Sequence, residues 1–259
     1  MTDPRELLDV AVHAAREAGD LLLARFGGPQ SGLTAKSSRT DLVSDADRDA
    51  EALLVAILQR ERPGDGLVAE EGSAAESSTG VRWLVDPLDG TTNYLWGIPH
   101  WSVSIAATDR DGDVAAVVHD PCRGETFTAC RTGGAWLGDV HLALTPSDDL
   151  AEALVATGFA YVADERAVQA QALQRVLPKV RDVRRFGSAA LDLAWVAAGR
   201  VDAFYETGLS PWDWAAGSAL VREAGGTVVT VTAVGRPDGV LAARPGLGEA
   251  LLALVRSPG

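Results

Sequence analysis

Asp86 and Asp89 stand three residues apart in the stretch Trp83-Leu84-Val85-Asp86-Pro87-Leu88-Asp89-Gly90-Thr91-Thr92-Asn93. Two carboxylates this close repel each other unless a cation lies between them. Oxygen-only donors on a turn suit a hard ion, Mg²⁺ or Mn²⁺, better than Zn²⁺. An Asp-x-x-Asp-Gly string also occurs as a plain Asx turn or helix cap, so a metal reading needs further acids. Glu70-Glu71 follows the apolar run Leu67-Val68-Ala69, Asp213 lies between Trp212 and Trp214, and Asp47 precedes an apolar helix. Asp47, Asp213 and Thr91 each have an alternative as helix caps. A cap can serve chemistry as well, since a helix start places a carboxylate in a positive field.

The elements that must position these groups follow from periodicity. Trp83-Leu84-Val85 predicts a buried strand, which Pro87 is expected to end at Asp86 because proline cannot donate to a ladder. Leu67-Val68-Ala69 predicts a short strand that delivers Glu70 and Glu71 to its end. Neighbours on a strand face opposite ways, so only one of the two is expected to enter a shared site. Asp3-Pro4 opens a helix with apolar positions from Leu7 to Leu22, ended by Gly27-Gly28-Pro29. After Lys36-Ser37-Ser38 and Asp41, any of Ser44, Asp45 or Asp47 can cap a second helix, stopped by Pro63-Gly64. Ser73 to Gly80, small and polar, reads as a mobile loop. Residues 101–108, 114–119 and 125–130 read as an antiparallel meander. From Ala151 the pattern alternates, with strands at 154–156, 183–186, 201–205, 228–231 and 240–242. Helices are expected at 164–177, 188–198, 213–224 and 247–255. The whole predicts two α/β subdomains, 1–145 and 146–259, in one compact unit. The first carries most of the candidate ligands, and the second carries Asp213 and Glu206.

The string from Asp86 to Asn93 resembles the first signature of the inositol monophosphatase family of Mg²⁺-dependent, lithium-sensitive phosphatases. Pro211-Trp212-Asp213-Trp214-Ala215-Ala216-Gly217 resembles a second signature, and Glu70-Glu71 after Gly66-Leu67-Val68-Ala69 a third. They occur in family order, and Gly187-Ser188-Ala189-Ala190-Leu191-Asp192-Leu193 is similar to the bacterial branch. Gly72 stands where a serine often follows the acidic pair, a departure that leaves both acids in place.

The resemblance implies a layered α-β-α-β-α sandwich of the inositol monophosphatase and fructose-1,6-bisphosphatase type. It implies two to three Mg²⁺ ions, with Mn²⁺ as a substitute. One ion would take Glu70, Asp86 and the Leu88 carbonyl, another Asp86, Asp89 and Asp213, and a weaker third would lie near Glu70. Thr91 and Asp47 would orient the attacking water, completing with Glu70 the catalytic set, and Lys36 would lie near the metals. Asp89, Gly90, Thr91, Gly187, Ser188, Ala189, Glu206 and Asp213 would line the substrate pocket. From the residues alone, turn and cap roles for Gly187, Ser188, Ala189 and Glu206 stay equally open. The implied reaction is phosphate monoester hydrolysis on a small phosphorylated polyol, foremost myo-inositol 1-phosphate. Histidinol phosphate, other sugar phosphates and fructose 1,6-bisphosphate are alternatives, and a homodimer is implied. The competing class is a regulatory protein binding the transcription machinery, for which Arg181, Arg184 and Arg185 offer a basic cluster.

Composition bounds these readings. With 259 residues, 47% of them hydrophobic, the chain can bury one large core or two halves sharing one. A net charge of −13 argues against a nucleic-acid binder but not against a phosphate substrate, because bound cations reverse the local field. Cys122 and Cys130 belong to no Cys-x-x-Cys or Cys/His group and read as reduced thiols of a cytoplasmic protein. The charged start gives no signal peptide, and no apolar run reaches the ~20 residues that span a bilayer, so no membrane partner is expected. His13, His100, His119 and His141 have no ligand spacing and read as structural.

Overall fold

The computed structural model describes residues 3–29, 31–36, 42–233 and 236–256. Ser37, Ser38 and Asp41 lie outside them. In chain order the elements are α1 (Pro4–Arg25), β1 (Thr34–Ala35), β2 (Leu42–Val43), α2 (Asp45–Glu61), β3 (Gly66–Ala69), β4 (Ala74–Ala75), β5 (Arg82–Asp89) and α3 (Thr91–Leu95). Then come β6 (Ser102–Asp109), β7 (Gly112–Asp120), β8 (Glu125–Cys130), β9 (Gly134–Leu137), β10 (Val140–Leu142), β11 (Leu154–Thr157), α4 (Ala163–Val176) and β12 (Asp182–Arg184). The chain closes with α5 (Ala189–Ala197), β13 (Ala203–Thr207), α6 (Pro211–Glu223), β14 (Thr227–Ala233), β15 (Arg236–Ala243) and α7 (Gly248–Val255).

Two sheets organise the molecule. The larger has the order β10-β9-β8-β7-β6-β5-β3-β4, antiparallel except where β3 runs parallel to β5. The smaller has the order β12-β11-β13-β15-β14. Helices α1 and α2 cover one face of the large sheet, and α5 and α6 are shared between the two sheets. Helix α7 packs on the far face of the small sheet and against α4, giving the layers α-β-α-β-α. Among the described residues no helix is long and apolar enough to cross a membrane.

The small apolar residues of the sequence set how closely these layers approach. The buried stripe of α1 is Leu7, Ala11, Ala14, Ala15, Ala18 and Leu22, and Asp3 caps it by accepting from Arg5 N at 2.9 Å. Gly19 on the same face leaves no room for a methyl, which would lie 2.6 Å from the His119 ring. The seam between α5 and α6 depends on Gly217, where a Cβ would stand 2.4 Å from the Leu193 Cβ.

Three sequence expectations are corrected. The central strand does not end at Asp86: β5 runs to Asp89, with a register shift between Asp86 and Asp89 opposite Ser104 and Ser102. Pro87 sits in that bulge, where a strand tolerates a missing N–H. The segment Ser73 to Gly80 is tied down, not loose. Part of it forms β4 against β3, Ser78 N donates to Gly64 O at 2.8 Å, and Thr79 Oγ1 donates to Asp65 Oδ1 at 2.6 Å. Its small residues allow this approach, since a Cβ on Gly66 would meet Ser77 at 2.9 Å. Helix α6 starts at Pro211 with Ser210 as its cap, so Asp213 occupies the third helical position and not the cap itself.

Gly217→Ala forces a methyl into the α5–α6 seam, and overpacking of this kind costs about 1–3 kcal/mol. We expect a lower urea midpoint with an unchanged slope; an unchanged midpoint would mean that the seam is loose.

Candidate active site

Strand β5 carries the centre of the site. Its bulge brings Asp86 and Asp89 to the same end of the strand, with the Leu88 carbonyl between them. Asp86 is 2% exposed, and its Oδ1 accepts from Leu88 N at 3.0 Å. Gly90 then turns the chain with φ +95°, and a side chain there would meet the backbone oxygens of His100 at 3.1 Å and Gly187 at 3.2 Å. Only glycine combines that conformation with that approach. The turn leads into α3, where Thr91 Oγ1 lies 2.9 Å from Asp47 Oδ1 and 3.0 Å from the Leu88 oxygen. A hydroxyl has one proton, so Thr91 donates to one of these at a time and keeps lone pairs for a third group.

Asp47 serves as both cap partner and site residue. Ser44 caps α2, and Asp47 Oδ2 accepts from Ser44 N at 2.9 Å and Ser44 Oγ at 2.6 Å, which leaves Oδ1 for Thr91. Asp213 repeats the device at α6, where its Oδ2 accepts from Ser210 N at 2.6 Å. Asp89 Oδ2 takes Ser188 Oγ at 2.5 Å and Ala190 N at 2.7 Å, at the start of α5.

Glu70 and Glu71 follow β3 in a turn, so strand alternation is not what separates them, but only Glu70 lines the cavity, as expected of one acid of the pair. Both reach Lys36, whose Nζ lies 2.8 Å from Glu70 Oε1 and 2.5 Å from Glu71 Oε1. Burial acts to lower the Lys36 pKa, but the two carboxylates outweigh it and hold the ammonium well above its ordinary value. Burial pushes Glu71 up to about 7, against the opposing pull of Lys36.

Lys36, Glu70, Asp86, Asp89, Thr91 and Asp213 line one cavity of about 370 Å³, together with Gly187, Ala189, Arg185 and Glu206, while Asp47, Glu71 and Ser188 lie behind its wall. Asp89, Glu206 and Asp213 lie deep in the protein but open onto its water. Burial raises Asp86 well above the carboxylate range, and the charges of Glu70, Asp89 and Asp213 add to the shift. Asp213 rises for the same reasons, burial first and then Glu70 and Asp89. Burial lifts Asp89 to about 6 even though Ser188 and Ala190 stabilise its anion. Glu206 rises to about 8 through burial, opposed by the Arg185 guanidinium.

Among the described residues, no three acidic, histidine or cysteine side chains close into a ligating cluster. The donor set still fits a hard divalent cation. It is all oxygen, it includes the Leu88 carbonyl, and its carboxylates carry more negative charge than the single Lys36 ammonium offsets.

Sequence reasoning missed two positioning residues. Glu51, buried one turn beyond Asp47 on α2, accepts from Glu71 N at 2.6 Å and Ser73 N at 3.0 Å, fixing the turn that carries Glu70. An acid four residues from Asp47 on an apolar helix face was its signal. Asn93 Nδ2 donates to His100 O at 2.7 Å and Phe186 O at 2.8 Å, binding the central turn to the Gly187 segment. Asn93 closes the quoted signature but had no role assigned. Arg181, Arg184 and Arg185 are all exposed, and the first two are paired with acids. Arg181 bonds Glu152, Arg184 bonds Asp182, and Arg185 turns to the cavity rim. His100 is buried against Phe186 and Trp195 and pulled down to about 4 by burial, so it is neutral at pH 7.

The raised pKa of Glu206 gives a pH dependence of stability. The folded state holds this proton more tightly than the unfolded chain does, so the stability it contributes is present below 4.5 and lost as the pH rises to about 8. In excess chelator, Glu206→Gln should match the parent in urea denaturation at low pH and exceed it increasingly toward pH 8. Parallel curves across that range would mean a solvated carboxylate.

Comparison with known proteins agrees with this geometry. The profile of the inositol monophosphatase family matches residues 3–257. The chain is 40% identical over 255 residues to Nus factor SuhB of Escherichia coli K12, covering 96% of each protein. It is 39% identical over 257 residues to the inositol-1-monophosphatase of Rhizobium meliloti, covering 97% of each. The crystal structure of the extragenic suppressor protein suhB from Bartonella henselae superposes with a TM-score of 0.90 at 36% identity, covering 98% of this chain and 99% of that one. Matched from end to end in sequence and in fold, the chain belongs to the inositol monophosphatase family and is a phosphate monoester hydrolase.

Proposed function

We propose that the protein hydrolyses the phosphate monoester of a small polyol, foremost myo-inositol 1-phosphate, with Mg²⁺ as cofactor and Mn²⁺ as a substitute. The observation that carries this reading is the meeting of Glu70, Asp86, Asp89, Asp213 and Thr91 in one cavity, with Asp47 bonded to Thr91 from behind. Glu70, Asp86 and the Leu88 carbonyl would hold one ion, and Asp86, Asp89 and Asp213 a second. Bound there, Mg²⁺ neutralises phosphate charge and lowers the pKa of water.

The chain's own residues supply orientation. When Thr91 donates its proton to Asp47 Oδ1, the Oγ1 lone pairs are free to accept from the attacking water and aim it. Asp47 is held for this by Ser44, so the pair needs no rearrangement. The amides of Gly90 and Thr91, which line the cavity at the start of α3, would bind phosphate oxygens. Glu206 accepts hydrogen bonds from substrate hydroxyls beyond the phosphate, beside Gly187, Ser188 and Ala189. Lys36 holds Glu70 and Glu71 in place. The family resemblance supports a homodimer. A regulatory role is suggested by the name of the Escherichia coli relative. The pairing of Arg181 with Glu152 and of Arg184 with Asp182 offsets part of the charge of the arginine cluster that favoured it.

Phosphate release from inositol 1-phosphate, histidinol phosphate and fructose 1,6-bisphosphate, each with and without Mg²⁺, tests the reading. Turnover should be highest on inositol 1-phosphate and vanish in excess chelator; full activity in chelator would end the metal mechanism. Mg²⁺ should also raise Tm, because it binds the folded state and relieves carboxylate repulsion.

Asp86→Asn, Asp89→Asn and Asp213→Asn keep their side-chain shapes but remove the charge. Each should lose on the order of 100-fold or more in kcat while retaining the parent circular dichroism. Unchanged turnover in one of them would return that residue to a purely structural role.

A further inference from the structure

We propose that Gly158 sets substrate choice, because its missing side chain leaves the space in which the Glu206 carboxylate stands. The inference rests on the reading of Glu206 as the acceptor of substrate hydroxyls. The two residues meet by register. Strands β11 and β13 run parallel with Ala156 opposite Phe204 and Thr157 opposite Tyr205, so the next pair is Gly158 and Glu206. Thr157 Oγ1 donates to Tyr205 O at 2.8 Å, which locks the strands one step before this pair. A Cβ on Gly158 would lie 1.9 Å from Glu206 Oε2 and 2.2 Å from its Cδ. No real structure tolerates such a contact, so one partner must move.

The backbone of Gly158 is poorly placed to move. Two residues on, Ala160 N donates to Gln169 Oε1 at 2.8 Å, and Gln169 Nε2 donates to Thr207 O at 2.9 Å. Gln169 thereby fastens the segment after Gly158 to the strand that carries Glu206. The Glu206 carboxylate, in contrast, is the far end of a flexible side chain. Among the described residues no group donates a hydrogen bond to it, and the charges around it are those of Arg185, Asp89, Asp192 and Asp213. Gly158 does not have the left-handed backbone that demands glycine elsewhere, so alanine is conformationally acceptable. The conflict is confined to one side chain in the substrate cavity. Gly158→Ala should therefore fold and swing the carboxylate away from its position. Gly158 is thus a positioning residue that acts through Glu206.

The test is kcat/KM for inositol 1-phosphate and for p-nitrophenyl phosphate, at saturating Mg²⁺. The four proteins are the parent, Gly158→Ala, Glu206→Ala and the double variant. The readout is the ratio of the two efficiencies, which a general loss of folded protein leaves unmoved. Loss of a hydrogen bond to a substrate hydroxyl corresponds to about 5–150-fold. Gly158→Ala should lower the ratio by at least about fivefold. Adding Gly158→Ala to Glu206→Ala should lower it no further, because the group it displaces is already gone. Removal of the clash should also return the Tm of the double variant to that of Glu206→Ala. If Glu206→Ala lowers the ratio and Gly158→Ala does not, the inference about Gly158 fails while the reading of Glu206 stands. If Gly158→Ala lowers the ratio equally in both backgrounds, it acts independently of Glu206 and the inference is overturned. If Glu206→Ala leaves the ratio unchanged, the reading of Glu206 fails and the inference falls with it.

Discussion

The concentration of negative charge in one cavity is the constraint on which the rest of the structure depends. Like charges about 4 Å apart repel by about 4 kcal/mol at an effective dielectric near 20. Glu70, Asp86, Asp89 and Asp213 face one another with Lys36 as the cation bonded among them. A helix N-terminus offsets roughly 0.3–1 kcal/mol per carboxylate. The starts of α5 and α6, which receive Asp89 and Asp213, therefore do not balance the repulsion by themselves. Burial first, and this repulsion after it, raises the proton affinities of Asp86, Asp89 and Asp213. A site with this imbalance binds divalent cations for an electrostatic reason, before any question of reaction.

The scaffold holds the acids in a consistent way. Asp47, Asp89 and Asp213 each have Oδ2 tied to a backbone or hydroxyl donor, and Asp86 has Oδ1 tied to Leu88 N. A carboxylate fixed through one oxygen keeps its direction and presents the other oxygen at little further entropic cost. Asp47 and Asp213 obtain this hold from the same local device, an acid at the third helical position bonding back to the amide of a capping serine. Structural and chemical readings of these two residues are thus one arrangement seen from its two oxygens.

Legibility in the sequence followed locality. The candidate acids, the start of α1 at Asp3-Pro4 and most helix positions were readable, because each depends on residues within a few places of one another, whereas the caps of α2 and α6 were left open or misplaced by up to three residues. The strand end was misjudged because a bulge places Pro87 where its missing N–H costs nothing, and a bulge is a property of the paired strand. Only Glu70 of the acidic pair enters the cavity, as expected, but not through strand alternation: the strand stops at Ala69, and Lys36 from a distant loop bonds both acids while Glu71 stays behind. The mobile loop was misread because Ser77, Ser78 and Thr79 are small enough to pack and polar enough to bond Gly64 and Asp65, which sequence composition does not distinguish from solvation. Glu51, Asn93 and Gly158 act across long separations, and their importance appears only once α2, the Gly187 segment and β13 are in place.

The two sheets meet the chemistry differently. The large sheet and its helices supply Glu70, Asp86, Asp89 and the Thr91–Asp47 pair, through the β5 bulge and the cap of α2. The small sheet contributes Glu206 at the end of β13 and, through the helix that follows, Asp213. Asp89 joins the two sets, since its oxygen is held by Ser188 and Ala190 from the second half of the chain. Asn93 reinforces that joint from the other side by bonding Phe186. A displacement of the α5 start would therefore disturb Asp89 and the Gly187 segment together, coupling metal geometry to the substrate pocket. By contrast, the surroundings of Glu206 can change through Gly158 without passing through Asp89. The architecture thus keeps the charged centre under constraints from both halves of the chain, while Glu206 stands in the space left by one glycine at one strand register.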